Sequence, residues 1–177
     1  ENKVMSLKTR FGNLGNILDF DNLTEENIYV LDSPILTNTQ FKKFKKFFSK
    51  KVKVIDCTFD IEKSLKDRID SIKEEAETAV RQGSTCLVLS DKNISNKKAS
   101  IPSILTVGAV HSHLVKHGLR GYCSLNVECS DAMDTHSFAI LIGVGATTVN
   151  PYLAIDSIYQ RFEKKLFGQS DFKTCVN

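Results

Sequence analysis

Four times along the chain, a short uninterrupted run of apolar residues is followed by a segment of helical periodicity. A run without alternation indicates a strand buried on both faces, which is typical of a parallel sheet covered by helices. Helices are also the usual crossovers between parallel strands. The sequence therefore predicts an α/β fold of (βα)4 type, either half of a barrel or an open sheet. The predicted strands span 52–55, 86–89, 124–127 and 147–149.

Periodicity and glycine or proline positions predict where the helices begin and end. The first helix is expected to open at Asp60 and to stop at Gly83, because glycine is preferred just after a helix C-terminus. The second is expected to begin at Pro102, since proline fits the first turn of a helix, and to reach about His117. The third and fourth predicted helices span 135–142 and about 153–165.

The first fifty residues do not follow this pattern. Residues 11–16 are rich in glycine and asparagine, Ser33 and Pro34 suggest a turn, and a helix is predicted only over about 39–50. We expect residues 1–50 to form an N-terminal arm that packs on a core of residues 51–177. With 177 residues, 41% of them apolar, the chain is long enough for one domain.

Composition excludes several function classes. The formal net charge of +3 and the 25% of charged residues are ordinary values, so no nucleic-acid partner is expected. No apolar stretch reaches the roughly 18 residues that span a bilayer, so no membrane partner is expected either. The five cysteines are odd in number and lie mostly in apolar runs, which indicates reduced thiols in a soluble intracellular protein. We expect a location in the cytoplasm or in an organellar stroma or matrix. The chain also begins at Glu1 without an initiator Met, as a piece of a longer protein would.

Polar residues follow the predicted strands at their carboxyl ends, where α/β folds place their ligands. Two interpretations are open. Asp56, Asp91 and Glu128 could form the acid and base of an enzyme site, or the strand ends could simply meet water or a neighbouring domain, as they commonly do. We favour the second interpretation because the signal is generic. The candidate positions are Asp56, Thr58, Ser90, Asp91, Glu128 and Asn150.

Histidines offer a weaker signal. His113 and His117 are four residues apart and share a helix face. A zinc protease motif would need a glutamate where Leu114 stands, so that chemistry is excluded. A third ligand from Glu128 or His136 could complete a metal site, but histidines near the end of an apolar helix more often bind backbone carbonyls. We therefore expect no metal ligand here.

Two further sequence features could suggest a cofactor site, but we interpret both as structural. Cys123 and Cys129 flank a predicted buried strand and have no third cysteine nearby, so an iron–sulfur site is not expected. The segment 143–146 runs from helix to strand, which is opposite to a dinucleotide-binding loop and indicates a turn.

A basic aromatic stretch lies in the predicted arm. Its aromatic residues are Phe41, Phe44, Phe47 and Phe48, and at helical spacing Phe41, Phe44 and Phe48 share one stripe. We expect the stripe to dock on the core and the lysines to be solvated, rather than to bind nucleic acid or a membrane. The lysines are Lys42, Lys43, Lys45, Lys46, Lys50, Lys51 and Lys53.

Several segments resemble the central domain of glutamate synthase. Residues 101–114 read IPSILTVGAVHSHL and are similar to the family's IPSLLAVGAVHHHL helix, and residues 142–153 read IGVGATTVNPYL and resemble its GYGADAVNPYLA. Residues 79–91 (AVRQGSTCLVLSD), 124–128, 11–18 (FGNLGNIL) and 33–38 also match in order, as do Ser6-Leu7, His136 and Phe138. The resemblance covers about residues 4–160. Local departures are Ser112 and Ser137, where the family often has histidines, and Cys129-Ser130-Asp131 in place of a Thr-Gly-Glu type of turn.

The resemblance implies a connector within a glutamate synthase large subunit. In that family a glutaminase domain with an N-terminal cysteine releases ammonia from glutamine, and an FMN-binding domain with an iron–sulfur cluster uses it to convert 2-oxoglutarate to glutamate. Ferredoxin, NADH or NADPH supplies the electrons. The central domain resembles a rudimentary TIM barrel, links the amidotransferase and FMN-binding domains and helps to wall the ammonia path.

For this chain, the resemblance implies no catalytic residue and no cofactor or metal ligand of its own. Position 134, where a third cluster cysteine would sit, is Asp134. Asp56, Ser90, Asp91, Glu128 and Asn150, together with the turns at Gly121, Gly143 and Gly145, are then candidate contacts with neighbouring domains. The alternative is a stand-alone α/β enzyme that uses the strand-end carboxylates.

Overall fold

The computed structural model describes residues 7–11, 29–168 and 170–176. The chain divides into two compact units, residues 1–34 and residues 35–177. In the first unit, β1 (Thr9–Phe11) pairs antiparallel with β2 (Tyr29–Leu31). The glycine- and asparagine-rich segment after Phe11, and the resemblance over 12–18, lie outside the described residues. The packing of a 1–50 arm on the core stays a prediction.

The second unit alternates strands and helices. Its elements in chain order are α1 (Asn38–Phe48), β3 (Val52–Asp56), β4 (Thr58–Asp60), α2 (Leu65–Arg81), β5 (Cys86–Ser90), β6 (Lys98–Ser100), α3 (Ser103–Lys116), β7 (Ser124–Glu128), α4 (Thr135–Gly143), β8 (Thr148–Asn150), α5 (Tyr152–Glu163) and α6 (Phe172–Val176). Short 3-10 turns cover Ser49–Lys51 and Arg120–Tyr122.

The central sheet is parallel, and its strand order, β3-β5-β7-β8, is also the order along the chain. This confirms the predicted α/β class and the four βα units, and each predicted strand agrees with the observed one to within a residue. Ile35 forms a further parallel bridge with Val149, and the Leu36 amide donates to the Val149 carbonyl at 2.8 Å. The segment before α1 therefore pairs with the outer edge of β8.

One face of the sheet packs on α2, α3 and α4. Alternate strand residues, such as Ile55, Leu89 and Val127, point to this face and are almost completely buried. Ala76 of α2 and Val110 of α3 belong to the same cluster, and their small side chains allow the two helices to approach the sheet closely.

Helix α1 lies against the opposite face, because Lys45 on α1 forms an ion pair with Glu128 on β7. Its sequence explains its start: Thr37 caps the first turn, and Gln40 completes a capping box. Phe41 and Phe44 are buried and Phe48 is half-buried, so the predicted apolar stripe is present.

The prediction that the first helix opens at Asp60 is wrong. Asp60 ends β4, which pairs antiparallel with β6, and α2 begins at Leu65. Ser64 is the N-cap, since its side chain accepts from the Asp67 amide. The small β4–β6 sheet was not expected, because its three-residue strands are too short to show a period.

Candidate functional site

The polar residues predicted at the strand ends form one row across the sheet. In the strand register Asp56 pairs with Ser90, Ser90 with Glu128, and Glu128 with Asn150. Residues in register on parallel strands project to the same face. The four side chains therefore lie side by side on the face that carries α1. Asp91 follows the row by one residue and is also buried.

Glu128 is the centre of this row. It is 4% exposed, and Oε1 lies 3.2 Å from Lys45 Nζ and 2.9 Å from Lys92 Nζ. Ser90 Oγ donates to Oε2 at 2.8 Å. Burial acts to raise the pKa of Glu128, but the hydrogen bonds from Lys92 and Ser90 and the charge of Lys45 outweigh it, so the pKa lies below its usual value. Glu128 is a carboxylate with both oxygens occupied.

The two lysines were not among the predicted site residues. The ammonium group of Lys45 lies 4.9 Å from the ring centroid of Phe41, and that of Lys92 lies 4.8 Å from the ring centroid of Tyr152. The aromatic faces favour the cations where they meet Glu128. Lys45 belongs to the basic stretch that was expected to be solvated; instead it is half-buried and paired, whereas Lys42, Lys43 and Lys46 are exposed as expected.

Asp91 joins the end of β6 to the loop after β7. Its Oδ2 accepts from the Ser130 amide at 2.9 Å, from Ser130 Oγ at 2.6 Å and from Ser100 Oγ at 3.3 Å. Among the described residues, Oδ1 is buried without a hydrogen-bond partner. Burial, together with the negative charge of Asp91, raises the pKa of Tyr152 to about 12. Tyr152 is therefore a neutral phenol at physiological pH.

The two ends of the row have local partners. Asp56 Oδ1 accepts from the amide and the hydroxyl of Thr58, at 3.0 and 2.8 Å. Burial acts to raise the pKa of Asp56, but these bonds and the charge of Lys98 lower it. Asn150 Nδ2 donates to the Leu36 carbonyl at 2.9 Å and to Asn38 Oδ1 at 3.0 Å. The side chain of Asn150 thus anchors the segment that leads into α1.

The row has little capacity for proton transfer. An enzymatic acid or base needs a proton-accepting group that is accessible to a substrate and has a pKa near the working pH. The pKa values of Asp56 and Glu128 are displaced away from neutrality, and both side chains are engaged. A groove of about 350 Å³ lies instead at the start of α2, where Phe59, Asp60 and Arg68 line it without any residue of the row.

At the opposite edge of the sheet, Arg120 organises the turn before β8. Its guanidinium donates to the carbonyls of Cys123 and Gly145, at 2.6 and 2.9 Å, and to Thr147 Oγ1 at 3.2 Å. Nε also donates to His111 Nδ1 at 3.2 Å. Burial and the charge of Arg120 lower the pKa of His111, which is consistent with a neutral ring accepting this bond. Helix α4 includes Gly143, and the turn predicted within 143–146 lies at Val144 and Gly145, where Gly145 has a φ of +119°.

The histidine pair meets a carboxylate that sequence reasoning missed. His113 Nε2 lies 2.7 Å from Oε2 of Glu77, and His117 Nδ1 lies 3.9 Å from the same oxygen. The third group considered from sequence was Glu128 or His136. Glu77 is on α2, and no local pattern could have linked it to a helix 36 residues further along.

The cysteines do not fit an iron–sulfur cluster. Cys123 and Cys129 flank β7 at its two ends, about 20 Å apart at roughly 3.3 Å per residue, and ligands of one cluster must lie far closer. Burial raises the pKa of Cys57, Cys86 and Cys129 to about 12, so these thiols are protonated at neutral pH. These four buried thiols belong to the packed interior. In the described part of the chain, no helix is long and apolar enough to cross a membrane.

The sequence is similar to one protein family over nearly the whole chain. The family model described as glutamate synthase central domain matches residues 1–176. The NADPH-type glutamate synthase large chain of Azospirillum brasilense is 47% identical over 171 residues, which cover 95% of this chain and 11% of the relative. The chloroplastic ferredoxin-dependent glutamate synthase of Spinacia oleracea is 38% identical over 166 residues, 90% of this chain and 10% of the relative. The NADPH-type large chain of Bacillus subtilis (strain 168) is 38% identical over 170 residues, 93% of this chain and 11% of the relative. The chain spans about a tenth of the length of these relatives.

Proposed function

The chain belongs to the glutamate synthase central-domain family, and on this premise we propose that it is the connector domain of a longer glutamate-forming polypeptide. In this proposal an amidotransferase domain releases ammonia from glutamine, and an FMN-binding domain uses it with 2-oxoglutarate and two electrons to form a second glutamate. The chain links these domains and forms part of the wall around the ammonia path. Its share of the relatives' length, about a tenth, supports a role as one domain among several.

The observation that carries the connector role is that the polar side chains of the strand-end row are already occupied by partners within this chain. At the edge where α/β enzymes bind substrates, Glu128 is neutralised by two lysines, and Asn150 is used to anchor a backbone segment. A stand-alone enzyme at this edge would need an open pocket and a free carboxylate. The internal pairing supports a structural use of the row and disfavours that alternative.

The same edge also carries exposed apolar side chains. Ile104 and Leu105 lie in the first turn of α3, and Met133 lies in the loop after β7. Asp131 ties these two segments together, because it accepts hydrogen bonds from both the amide and the hydroxyl of Ser103. Exposed apolar groups around one edge are typical of a surface that another domain covers. Ile61, Ile94 and Leu153 are also exposed in segments that follow carboxyl strand ends.

The close packing of the core is suited to a wall around the ammonia path. Ammonia in transit must be kept from bulk water, since escape or protonation would remove the nucleophile. Side chains such as Val88, Val107 and Leu125 are completely buried, and a close-packed partition of this kind leaves little room for solvent.

FMN and the iron–sulfur cluster belong, in this proposal, to other domains of the longer protein. When bound there, FMN would carry the electrons that reduce the intermediate formed from ammonia and 2-oxoglutarate. The positions of Cys123 and Cys129 at the two ends of β7 support that division, because these two thiols are too far apart to bind one cluster. The location in cytoplasm, stroma or matrix remains a prediction.

The test is a measurement of coupling in the longer enzyme. We would replace Leu105 with Glu, because an acidic residue in the first turn agrees with the helix dipole and leaves α3 stable. If the carboxyl edge is an interdomain surface, the buried charge should loosen it. Free ammonia released per 2-oxoglutarate consumed is then expected to rise several-fold above that of the unmodified enzyme.

The matched control is Val115→Lys, at the exposed other end of the same helix, where a basic residue also agrees with the dipole. This variant is expected to remain coupled. Unchanged coupling in Leu105→Glu, or equal loss in both variants, would contradict the proposal.

A further inference from the structure

Three side chains with metal-binding atoms converge where α2 packs on α3. One ligand atom each from Glu77, His113 and His117 lies within 4.8 Å of the others. His113 Nε2 is 2.7 Å from Glu77 Oε2, and the two imidazole rings lie with their centroids 4.3 Å apart and their planes tilted by 43°. Two imidazoles and one carboxylate around a common point are the donor set of many three-ligand zinc sites.

The hydrogen bond of His117 occupies the ring nitrogen that lies nearest to Glu77. Its Nδ1 lies 2.8 Å from the His113 carbonyl oxygen, which can only accept, so Nδ1 carries the proton and Nε2 keeps its lone pair. Nδ1 is also the His117 nitrogen that lies 3.9 Å from Glu77 Oε2, so an ion held between these ligands would take the place of the Nδ1 proton. Without an ion, this hydrogen bond holds the His117 ring beside His113, and a metal ion bound by Nδ1 would replace it.

The two carboxylate oxygens of Glu77 contact different partners. Its Oε1 accepts from Arg81 Nε at 2.8 Å, whereas Oε2 faces His113. The bond to Arg81 fixes the carboxylate and leaves Oε2 directed at the histidine pair. The Arg81 side chain is 56% exposed, so water screens most of the repulsion between its charge and a bound cation.

The helices are packed into the core beside this cluster. Ala76 precedes Glu77 and is completely buried, as is Leu114 next to His113. The ligand side chains themselves are only partly exposed, at 22%, 18% and 35% for Glu77, His113 and His117. Ligands around tetrahedral zinc lie roughly 3.4 Å apart, given metal–ligand distances of about 2.1 Å. Small rotations of these side chains therefore suffice to close the site.

We propose that Glu77, His113 and His117 bind a divalent transition-metal ion of the zinc type and that the ion links the C-terminal parts of α2 and α3. The mixed nitrogen and oxygen donors favour zinc, cobalt or nickel over magnesium or calcium, which prefer oxygen alone. The site is remote from the strand-end row and does not depend on the proposed connector function.

The test uses zinc sulfate titrated into the purified chain by isothermal calorimetry, with thermal unfolding followed in parallel. We expect one zinc ion per chain and a higher unfolding temperature with zinc, since a ligand that binds the folded state stabilises it. Glu77→Gln, which keeps the shape of the side chain, and His117→Asn, which keeps a donor at the helix end, should each weaken zinc binding at least tenfold and remove the thermal shift.

His136→Ala is the matched control, because His136 is exposed on α4 and lies outside the cluster. Circular dichroism checks that each variant is folded. Cobalt substitution identifies the donors: nitrogen and oxygen ligands give no thiolate charge-transfer band. Absence of one-to-one zinc binding, unchanged affinity in Glu77→Gln and His117→Asn, loss of binding in His136→Ala, or a thiolate band would each overturn the proposal.

Discussion

The ring of His111 occupies the space beside Gly145 that a side chain at position 145 would need. An ideal Cβ on Gly145 would lie 2.3 Å from His111 Nδ1 and 2.9 Å from His111 Cβ. The φ of Gly145 is +119°, a conformation that other residues rarely adopt. Steric contact and backbone conformation therefore demand glycine independently at this position.

Gly145→Ala is expected to destabilise the chain by about 3 kcal/mol or more, since backbone strain adds to the overlap with His111. Urea unfolding followed by circular dichroism measures the change. Gly143→Ala is the control, because Gly143 ends α4 and, apart from its own helix and chain neighbours, no atom of the described residues lies within 4 Å of its Cβ position. That change should stay within about 1 kcal/mol. Similar losses in both variants would show that the His111 contact is unimportant.

Glu128→Gln is expected to cost about 2 kcal/mol of unfolding free energy. The amide keeps the Ser90 bond but leaves Lys45 and Lys92 without their anion in a partly buried place. Glu75→Gln removes the more exposed ion pair between Glu75 and Lys53 and should lower the unfolding free energy by less than about 0.5 kcal/mol. Chemical denaturation at neutral pH measures the unfolding free energy of both variants. Equal losses would mean that burial of the Glu128 ion pairs does not increase their contribution to stability.

The contribution of Glu128 should also depend on pH with a defined sign. Its pKa in the folded chain lies below the ordinary value of 4.5, so its stabilisation is complete above about pH 5. The contribution is lost as the pH falls through the folded-state pKa. The difference in unfolding free energy between the unmodified chain and Glu128→Gln should be constant from pH 7 to about pH 5.5 and should shrink below pH 4.5. A difference that shrinks instead as the pH rises would contradict the assignment.

The cysteines should differ in reactivity. Burial raises the pKa of Cys57, Cys86 and Cys129 to about 12, and Cys175 is the one thiol in the described region that is partly exposed. Brief treatment of the folded chain with iodoacetamide at pH 8 should label Cys175 first, as peptide mass spectrometry can show. In urea all five should react at similar rates. Rapid labelling of Cys129 in the folded chain would mean that the end of β7 opens in solution.

The sequence predicted helices and strands correctly where the residues that define an element lie within it or next to it. Thr37 and Gln40 cap α1 through a reciprocal pair that lies within four residues, and Gly83 ends α2 with a φ of +92°. The start of α2 was misplaced because Asp60 is recruited into a short antiparallel pair with β6. That pairing depends on residues almost forty positions away.

The sequence by itself determined the four βα units, their buried strands and membership in the glutamate synthase central-domain family, because continuous apolar runs and long ordered motifs are local properties. Only the tertiary structure decided which charged groups meet. Glu128 takes its partners from α1 and from the loop after β5, and Glu77 reaches the histidine pair across a helix interface. Such contacts depend on strand register and helix packing, which join residues 36 to 83 positions apart and leave no trace in local periodicity.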